Sequence, residues 1–387
     1  MTIIVTCIAP VNIAVIKYWG KRDEDLILPL NSSISTTLST KQMRTTTSIM
    51  KSPDFKSDRL WLNGKEEPLN HPRIQRCLKA IRERAREQGK FEDKCKLHIC
   101  SENNFPTAAG LASSAAGYAC LVYTLAKLYG VEGDVSDIAR QGSGSACRSL
   151  LGGFVQWSRG SNSNGSDSVA SQLYQADHWP SLKVIILVVS DHKKKVSSTG
   201  GMQRSVETSE LLKYRVKHCV PANIEAISLA LKVRDFDKFA EITMRDSNQF
   251  HAVAMDTYPP AVYMSDVSHA IVNFVHEYNA ACGTTKVAYT FDAGPNAVLY
   301  VQEDDVPLVA AMIQHVFPPL PTTKQQFISI PMKPAVLPED LKTSFPPHEP
   351  GMLKYCMYTE IGSGPSQLTD PDCHLLLPDG NPKKIAS

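Results

Sequence analysis

The chain has 387 residues, 43% hydrophobic and 21% charged, which is enough for a sizeable core and for two domains. Its net charge is only +2, from 41 basic and 39 acidic residues, so no general pull toward nucleic acid or a membrane surface is expected. Any affinity for anions must be local. Ten cysteines occur, none spaced as CxxC, which argues against a zinc site or a disulfide framework and for a reducing compartment. No apolar run reaches the roughly 20 residues that span a bilayer. The apolar N-terminus lacks a basic leader and carries Pro10 and Asn12, so a strand and loop are expected there, in a cytoplasmic protein.

In chain order, Thr2–Ile8 reads as a strand that Pro10 interrupts. Residues 12–22 follow, with Lys17, Lys21 and Arg22 interleaved with Tyr18 and Trp19. This stretch is either a solvated basic turn over a packed aromatic pair or a polyanion clamp with an aromatic wall. Ile34–Leu38 and residues 43–50 read as strands, and Asn63-Gly64 marks a hairpin between Asp58–Leu62 and Lys65–Leu69. Arg73–Gln88 is an amphipathic helix with Ile74, Cys77, Leu78, Ile81 and Ala85 on one face. Arg73 opens it, where a cation gains nothing from the helix dipole; that suits an anionic ligand or an ordinary surface arginine.

Lys94–Ser101 alternates as a strand and leads into PTAAGLASSAAGYA, residues 106–119, with a helix from about Ser113 to Tyr129. Small residues before a helix start leave amide groups uncovered at its positive end, the outline of a phosphate loop. The alternative is that they only allow close helix packing. The loop is neither a Walker motif, since no Lys follows the glycines, nor a dinucleotide fingerprint.

GSGSACRSLLGG, residues 142–153, is a second Gly/Ser-rich loop. Arg148 sits among small residues there, free to reach inward as a planar fork for a carboxylate or phosphate, or left exposed on a turn. Residues 158–168 form a loop, and Leu182–Val189 a strand buried on both faces. A domain boundary falls near 180–195, where His192 to Lys195 read as a solvated loop. The second half is richer in helix, clearest over Ser265–Ala281 with Gly283 closing it. Lys286–Phe291 and Ala297–Val301 read as strands joined by Asp292-Ala293-Gly294-Pro295-Asn296, a turn that would fix a carboxylate at a sheet end.

Five motifs together resemble one family: APVNIAVIKYWGKRD at 9–23, NNFPTAAGLASSAAGYA at 103–119, GSGSACRSLLGG at 142–153, DSNQFHA at 246–252 and AYTFDAGPNA at 288–297. The chain closely resembles, over nearly its whole length and in its eukaryotic form, the diphosphomevalonate decarboxylases of the GHMP small-molecule kinase superfamily. Kinases of that superfamily usually carry Gly-Leu-Gly-Ser-Ser in the phosphate loop; Ala112 stands at the second glycine, as in the decarboxylase branch. The resemblance implies an α+β, two-domain GHMP kinase fold. Residues 1–190 would form a ribosomal-protein-like β-α domain that binds ATP, and residues 191–387 a ferredoxin-like domain. A homodimer is implied as well.

The implied activity is ATP-dependent decarboxylation of mevalonate diphosphate, with ATP and magnesium required. By the family pattern Asp292 faces the tertiary hydroxyl as base or orienting acceptor, and Lys17 sits near it and the transferring phosphoryl group. Arg148 holds the substrate carboxylate with Asn12 assisting. Tyr18, Trp19, Gly20, Lys21 and Arg73 line the substrate site, with Ser143, Gly144, Ser145, Ala146, Cys147 and Thr199. Ala108, Ala109, Gly110, Leu111, Ala112, Ser113 and Ser114 cradle the ATP phosphates, with Ser114 the implied magnesium ligand. Bacterial members tend to carry an Arg where Thr199 stands, so residues 197–201 depart from the pattern. A kinase of the same superfamily would need no Arg148, and a non-catalytic relative would be expected to lack Lys17 or Asp292.

Overall fold

The computed structural model describes residues 2–91, 95–105, 113–190, 195–323, 326–330, 333 and 335–384. The first half supplies strands β1 (Ile3–Pro10), β2 (Asn12–Ile16), β3 (Lys21–Asp23), β4 (Leu28–Pro29), β5 (Ser33–Thr37), β6 (Arg44–Ser52), β7 (Arg59–Leu62) and β8 (Lys65–Glu67). Helix α1 (Pro72–Glu87), β9 (Lys96–Asn103), α2 (Ser113–Tyr129), α3 (Ser136–Gly142), a 3-10 turn over Gly144–Leu150, β10 (Phe154–Trp157) and β11 (Ala170–Tyr174) complete it. Strand β1 pairs with β6 and β6 with β9, all antiparallel, and the β7–β8 hairpin is added through a parallel β7–β9 ladder. Asn63 and Gly64 close that hairpin with φ of 51° and 80°, the two positive angles of a tight strand-matching turn. Helix α1 buries the Cys77, Leu78, Ile81 and Ala85 face read from its period, and α2 packs with it over this sheet. A second sheet runs β11-β10-β5-β2.

The second half opens with β12 (Leu182–Val188), then α4 (Ser198–Thr208), α5 (Glu210–Tyr214), a π-helical turn (Arg215–Cys219), α6 (Val220–Val233), α7 (Phe236–Asp256) and α8 (Asp266–Cys282). It continues with β13 (Val287–Phe291), β14 (Ala297–Gln302), α9 (Val306–Val316), β15 (Phe327–Ile328), α10 (Glu339–Ser344), β16 (Tyr355–Glu360) and β17 (Ser366–Leu368). The third sheet runs β13-β14-β12-β16-β15. Strand β12 is its centre and every residue is buried, as its unbroken apolar run requires. Gly283 closes α8 at φ 65°, and a Ser265–Ser268 capping box opens it.

Two readings differ from the structure. Residues 12–16, not expected as a strand, pair with β5 and are buried throughout, because the chain re-enters a sheet two residues after Pro10. The Gly/Ser stretch at 142–153 is not a loop: its small residues let it wind into the 3-10 turn and pack on α2, with Ala146 and Cys147 fully buried. His192 to Lys194 lie outside the described residues.

One large core joins the second and third sheets, taking in Ile13, Phe154, Ile186, Phe239 and Tyr300, and the Tyr300 hydroxyl meets Thr36 Oγ1 at 2.7 Å. After β16 the chain leaves the third sheet, and β17 pairs with β1 in the first. On the way the chain crosses the β5–β10 region so closely that Gly362 donates to the Thr37 carbonyl at 2.8 Å and accepts from Gly153 at 2.9 Å. Gly153 has φ +72°, and a Cβ there would lie 2.2 Å from the Tyr174 carbonyl oxygen. Gly153→Ala is therefore expected to destabilise the fold by about 2–4 kcal/mol, seen as a lowered unfolding midpoint. A native midpoint would mean that the backbone after β11, at Tyr174–Ala176, can shift to make room.

Candidate active site

The lobes meet at a cleft of about 390 Å³. Its floor is a contact between them: Lys17 Nζ, just past β2, lies 2.6 Å from Asp292 Oδ1, just past β13. Lys17 is buried and Asp292 is 28% exposed, so the carboxylate opens to the cleft and the ammonium lies behind it. Both are held through their backbones. The Lys17 amide donates to Asp246 Oδ1 at 2.8 Å, and its carbonyl accepts from Asn31 at 3.0 Å. Before Asp292, the Phe291 amide donates to Ser247 Oγ at 3.0 Å; after it, Gly294 donates to the Asp292 carbonyl at 2.7 Å.

Arg148 comes from the 3-10 turn and is buried, not exposed. Its Nε donates to Asn12 Oδ1 at 3.2 Å and its Nη1 to Ser33 Oγ at 2.6 Å. Asn12 is fixed by donating to the Ser145 carbonyl and to Ser149 Oγ. Burial lowers the guanidinium pKa, while Cys147 and Asp292 act in the opposite direction. Tyr18 packs edge-on against Trp157, with centroids 4.6 Å apart. Its buried hydroxyl has no hydrogen-bond partner among the described residues, and burial drives its pKa upward, so it stands as a neutral donor facing the cleft. Gly144 lies beneath these rings: a Cβ would sit 2.9 Å from both Tyr18 and Trp157.

Further cations ring the opening. Lys21 is buried and paired with Glu24 at 2.5 Å. Arg73 Nη2 donates to Thr199 Oγ1 at 3.1 Å, which ties the start of α1 to the first turn of α4. Ser143 Oγ lies 3.4 Å from Ser114 Oγ at the start of α2, with Ser113 beside it on the cleft wall. The same two serines border an adjoining cavity of about 270 Å³ with apolar walls from Leu60, Ile74, Ile99 and Tyr118. Of the other sequence-read positions, Trp19 lines the cleft while its indole donates to Ser205 Oγ at 2.8 Å. Gly20 supports the turn at φ +87°, and Ala146 and Cys147 lie beneath the cleft wall. Ala108 to Ala112 fall outside the described residues.

This geometry offers a fixed carboxylate, a buried ammonium behind it, an inward guanidinium and a cationic rim, suited to a multiply anionic ligand. The comparisons with known proteins agree with it. The diphosphomevalonate decarboxylase-like N-terminal domain profile matches residues 9–170, and the mevalonate 5-diphosphate decarboxylase C-terminal domain profile matches residues 184–368. A diphosphomevalonate decarboxylase of Danio rerio is 55% identical, over 99% of this chain and 97% of its own length. The chain belongs to the diphosphomevalonate decarboxylase family.

Members of this family are decarboxylases, and this chain is one, with the α+β, two-domain fold of the GHMP kinases. The mevalonate diphosphate decarboxylase from Trypanosoma brucei superposes with a TM-score of 0.88 at 41% identity, covering 96% of this chain and 99% of that one. A complex of MDDEF with MVAPP, AMPPCP and magnesium superposes at 0.75 with 28% identity, covering 95% and 99%.

Several residues of the site carried no individual signal in the sequence. Asp246, Ser247 and Phe250 lie in a motif tied to the family, yet nothing in their types distinguishes them from helix filler. Met202 and Ser197 reach the cleft only because α4 folds over it. His251 is a further case. It is buried near the Lys17–Asp292 pair and the Phe291 backbone, with Nε2 unpartnered among the described residues. Burial, helped by Lys17, lowers its pKa from 6.5 to about 3. The unfolded imidazole thus takes up a proton that the folded one refuses, and stability present above pH 6.5 is lost as pH falls toward 3. Replacing His251 with Gln is expected to flatten the fall in unfolding free energy between pH 6 and pH 5 by about 1 kcal/mol. Equal slopes in the two proteins would show that this imidazole does not stay neutral.

Proposed function

We propose that this decarboxylase converts (R)-5-diphosphomevalonate and ATP to isopentenyl diphosphate, ADP, phosphate and carbon dioxide, in the mevalonate route to isoprenoids and sterols. The observation that carries this reading is the Lys17–Asp292 pair on the floor of a cleft into which Arg148 also points. A tertiary hydroxyl is a poor leaving group. Asp292 is suited to accept its proton, or to orient it, as the oxygen attacks the γ-phosphorus of ATP. Lys17 Nζ then lies where charge accumulates on the transferring phosphoryl group. When phosphate leaves with the C–O electron pair, positive charge grows on the tertiary carbon. The exposed edge of Asp292 can offset it. The electrons of the bond to the carboxylate carbon become the new double bond, and carbon dioxide departs. Arg148, with Asn12, holds that carboxylate and so fixes which bond lies in line.

The rim takes the diphosphate. Lys21, Arg73 and Thr199 would hold its oxygens, with Tyr18, Ser143, Gly144 and Ser145 along the same cleft. The adjoining apolar cavity suits the adenine, because it meets the cleft at Ser113 and Ser114, where the positive end of α2 would face the phosphates. The related complex with AMPPCP and magnesium supports ATP and Mg2+ here. Among the described residues no group of three or more His, Cys, Asp or Glu could hold a metal ion. The donors present are hydroxyls, with Ser114 foremost, and they fit a magnesium ion carried mainly by the triphosphate. Bound magnesium would neutralise phosphate charge during transfer.

The division into residues 1–190 and 191–387 belongs to the same reading, with β12 already seated in the sheet of the second part. So do a homodimer and a cytoplasmic location, the latter supported by ten free cysteines. No nucleic-acid or membrane partner is proposed; among the described residues no helix is long and apolar enough to cross a membrane.

With carboxyl-labelled mevalonate diphosphate and magnesium ATP, carbon dioxide and ADP should form in equal amounts. ADP alone would indicate a kinase. Asp292→Asn should lower turnover by a factor on the order of 100 to 10,000 while nucleotide binding stays near native. Arg148→Ala should weaken mevalonate diphosphate binding by roughly 10- to 100-fold and leave nucleotide affinity nearly unchanged. Equal loss for both ligands in a folded variant would make Arg148 structural.

A further inference from the structure

The two members of the floor pair arrive from strands far apart in the chain, and neither is held in register by its own strand. Pairing of β2 with β5 is irregular between Ala14 and Ile16 and stops before Lys17. Pairing of β13 with β14 stops at Phe291, before Asp292. Helix α7 supplies what the sheets do not. Asp246 accepts the Lys17 amide on Oδ1 and, on the same oxygen, Arg215 Nη2 at 2.8 Å. That Nη2 also reaches the Lys17 carbonyl at 3.3 Å, so a carboxylate and a guanidinium close a ring around the backbone of one residue. Asn223 also donates to Asp246 Oδ2 at 3.2 Å, and Arg215 Nη1 donates to Gln249 at 2.9 Å, while Arg215 Nε has no partner among the described residues. One residue along α7, Ser247 holds the Phe291 amide. Arg215 opens the π-helical turn, a widening of the helix often found at functional sites.

We propose that Asp246, paired with Arg215, is a positioning residue that sets Lys17 against Asp292, with Ser247 performing the same task on the Asp292 side. The proposal rests on the reading of Lys17 and Asp292 as the reacting pair. A fully buried ion pair is a weak source of stability, and apolar residues of similar volume often serve the fold as well. Apolar residues could not bond an amide and a carbonyl of the same residue. The ring therefore specifies location. A shift of about 1 Å in a reacting group costs on the order of 100-fold in rate.

The test compares Asp246→Asn, Ser247→Ala and Asp292→Asn with the native enzyme, with turnover expressed per nucleotide-binding site and folding followed by circular dichroism. For Asp246→Asn, kcat should fall on the order of 100-fold while both KM values stay within about threefold. For Ser247→Ala, kcat should fall about 10-fold with near-native melting. A folded Asp246→Asn enzyme with native kcat, or one altered only in KM, overturns the proposal. Should Asp246→Asn fail to fold, Ser247→Ala decides, and native kcat there overturns it. Full turnover in Asp292→Asn would instead remove the reading on which the proposal rests.

Discussion

The site depends on one ion pair that belongs to neither lobe alone. Lys17 contributes an ammonium from the end of the second strand, and Asp292 a carboxylate from a turn in the other half. Opposite charges at 2.6 Å in a partly dry cleft attract strongly, but attraction alone does not choose a geometry. Geometry comes from bonds to backbone: Asp246 on the Lys17 amide, Asn31 on its carbonyl, Ser247 before Asp292, and Gly294 closing the turn after it. The large core continuous from Ile13 to Tyr300 keeps the two strand ends at a fixed separation. Packing sets the coarse distance, and the polar contacts set orientation within it.

Around that pair the cleft is asymmetric in charge. Lys21, Arg73 and Arg148 join Lys17 on its walls, while Asp292 is its only carboxylate among the described residues. A ligand with several negative groups is drawn to the rim and is repelled only where chemistry needs a base. Small residues make the approach possible. Gly144 lets the backbone lie under the Tyr18 and Trp157 rings, and Gly201 sits where a Cβ would meet the Tyr263 hydroxyl at 2.2 Å.

Much of this was legible in the sequence because local rules agree with the tertiary result. The Asn63-Gly64 hairpin, the α1 face, the Ser113 start of α2, the Gly283 cap and the buried run of β12 all follow from period and turn chemistry. The acid at the sheet end and the inward arginine were visible as residues in unusual company. What could not be read was contact between distant segments. Nothing local marks Asp246 as the partner of a peptide at residue 17, or Ser33 as the anchor of Arg148. The Gly/Ser stretch misled because small polar residues suit both a mobile loop and a tightly packed 3-10 turn. Burial decides between them, and burial is set by the neighbours.

The pairing of β17 with β1 has a consequence for how the protein is made. Thr6 lies opposite Leu368, so the first strand lacks its edge partner until residues 366–368 have left the ribosome. Beyond β17, Leu375 bonds Ser48, and Leu376 fills a pocket with Met50 and Trp61. During synthesis the outer face of the first sheet therefore stays open, a bare strand edge beside apolar side chains. A nascent chain of this design must be shielded, or fold late as a unit. Truncation that removes residues 366–368 would leave the finished protein with the same exposed edge.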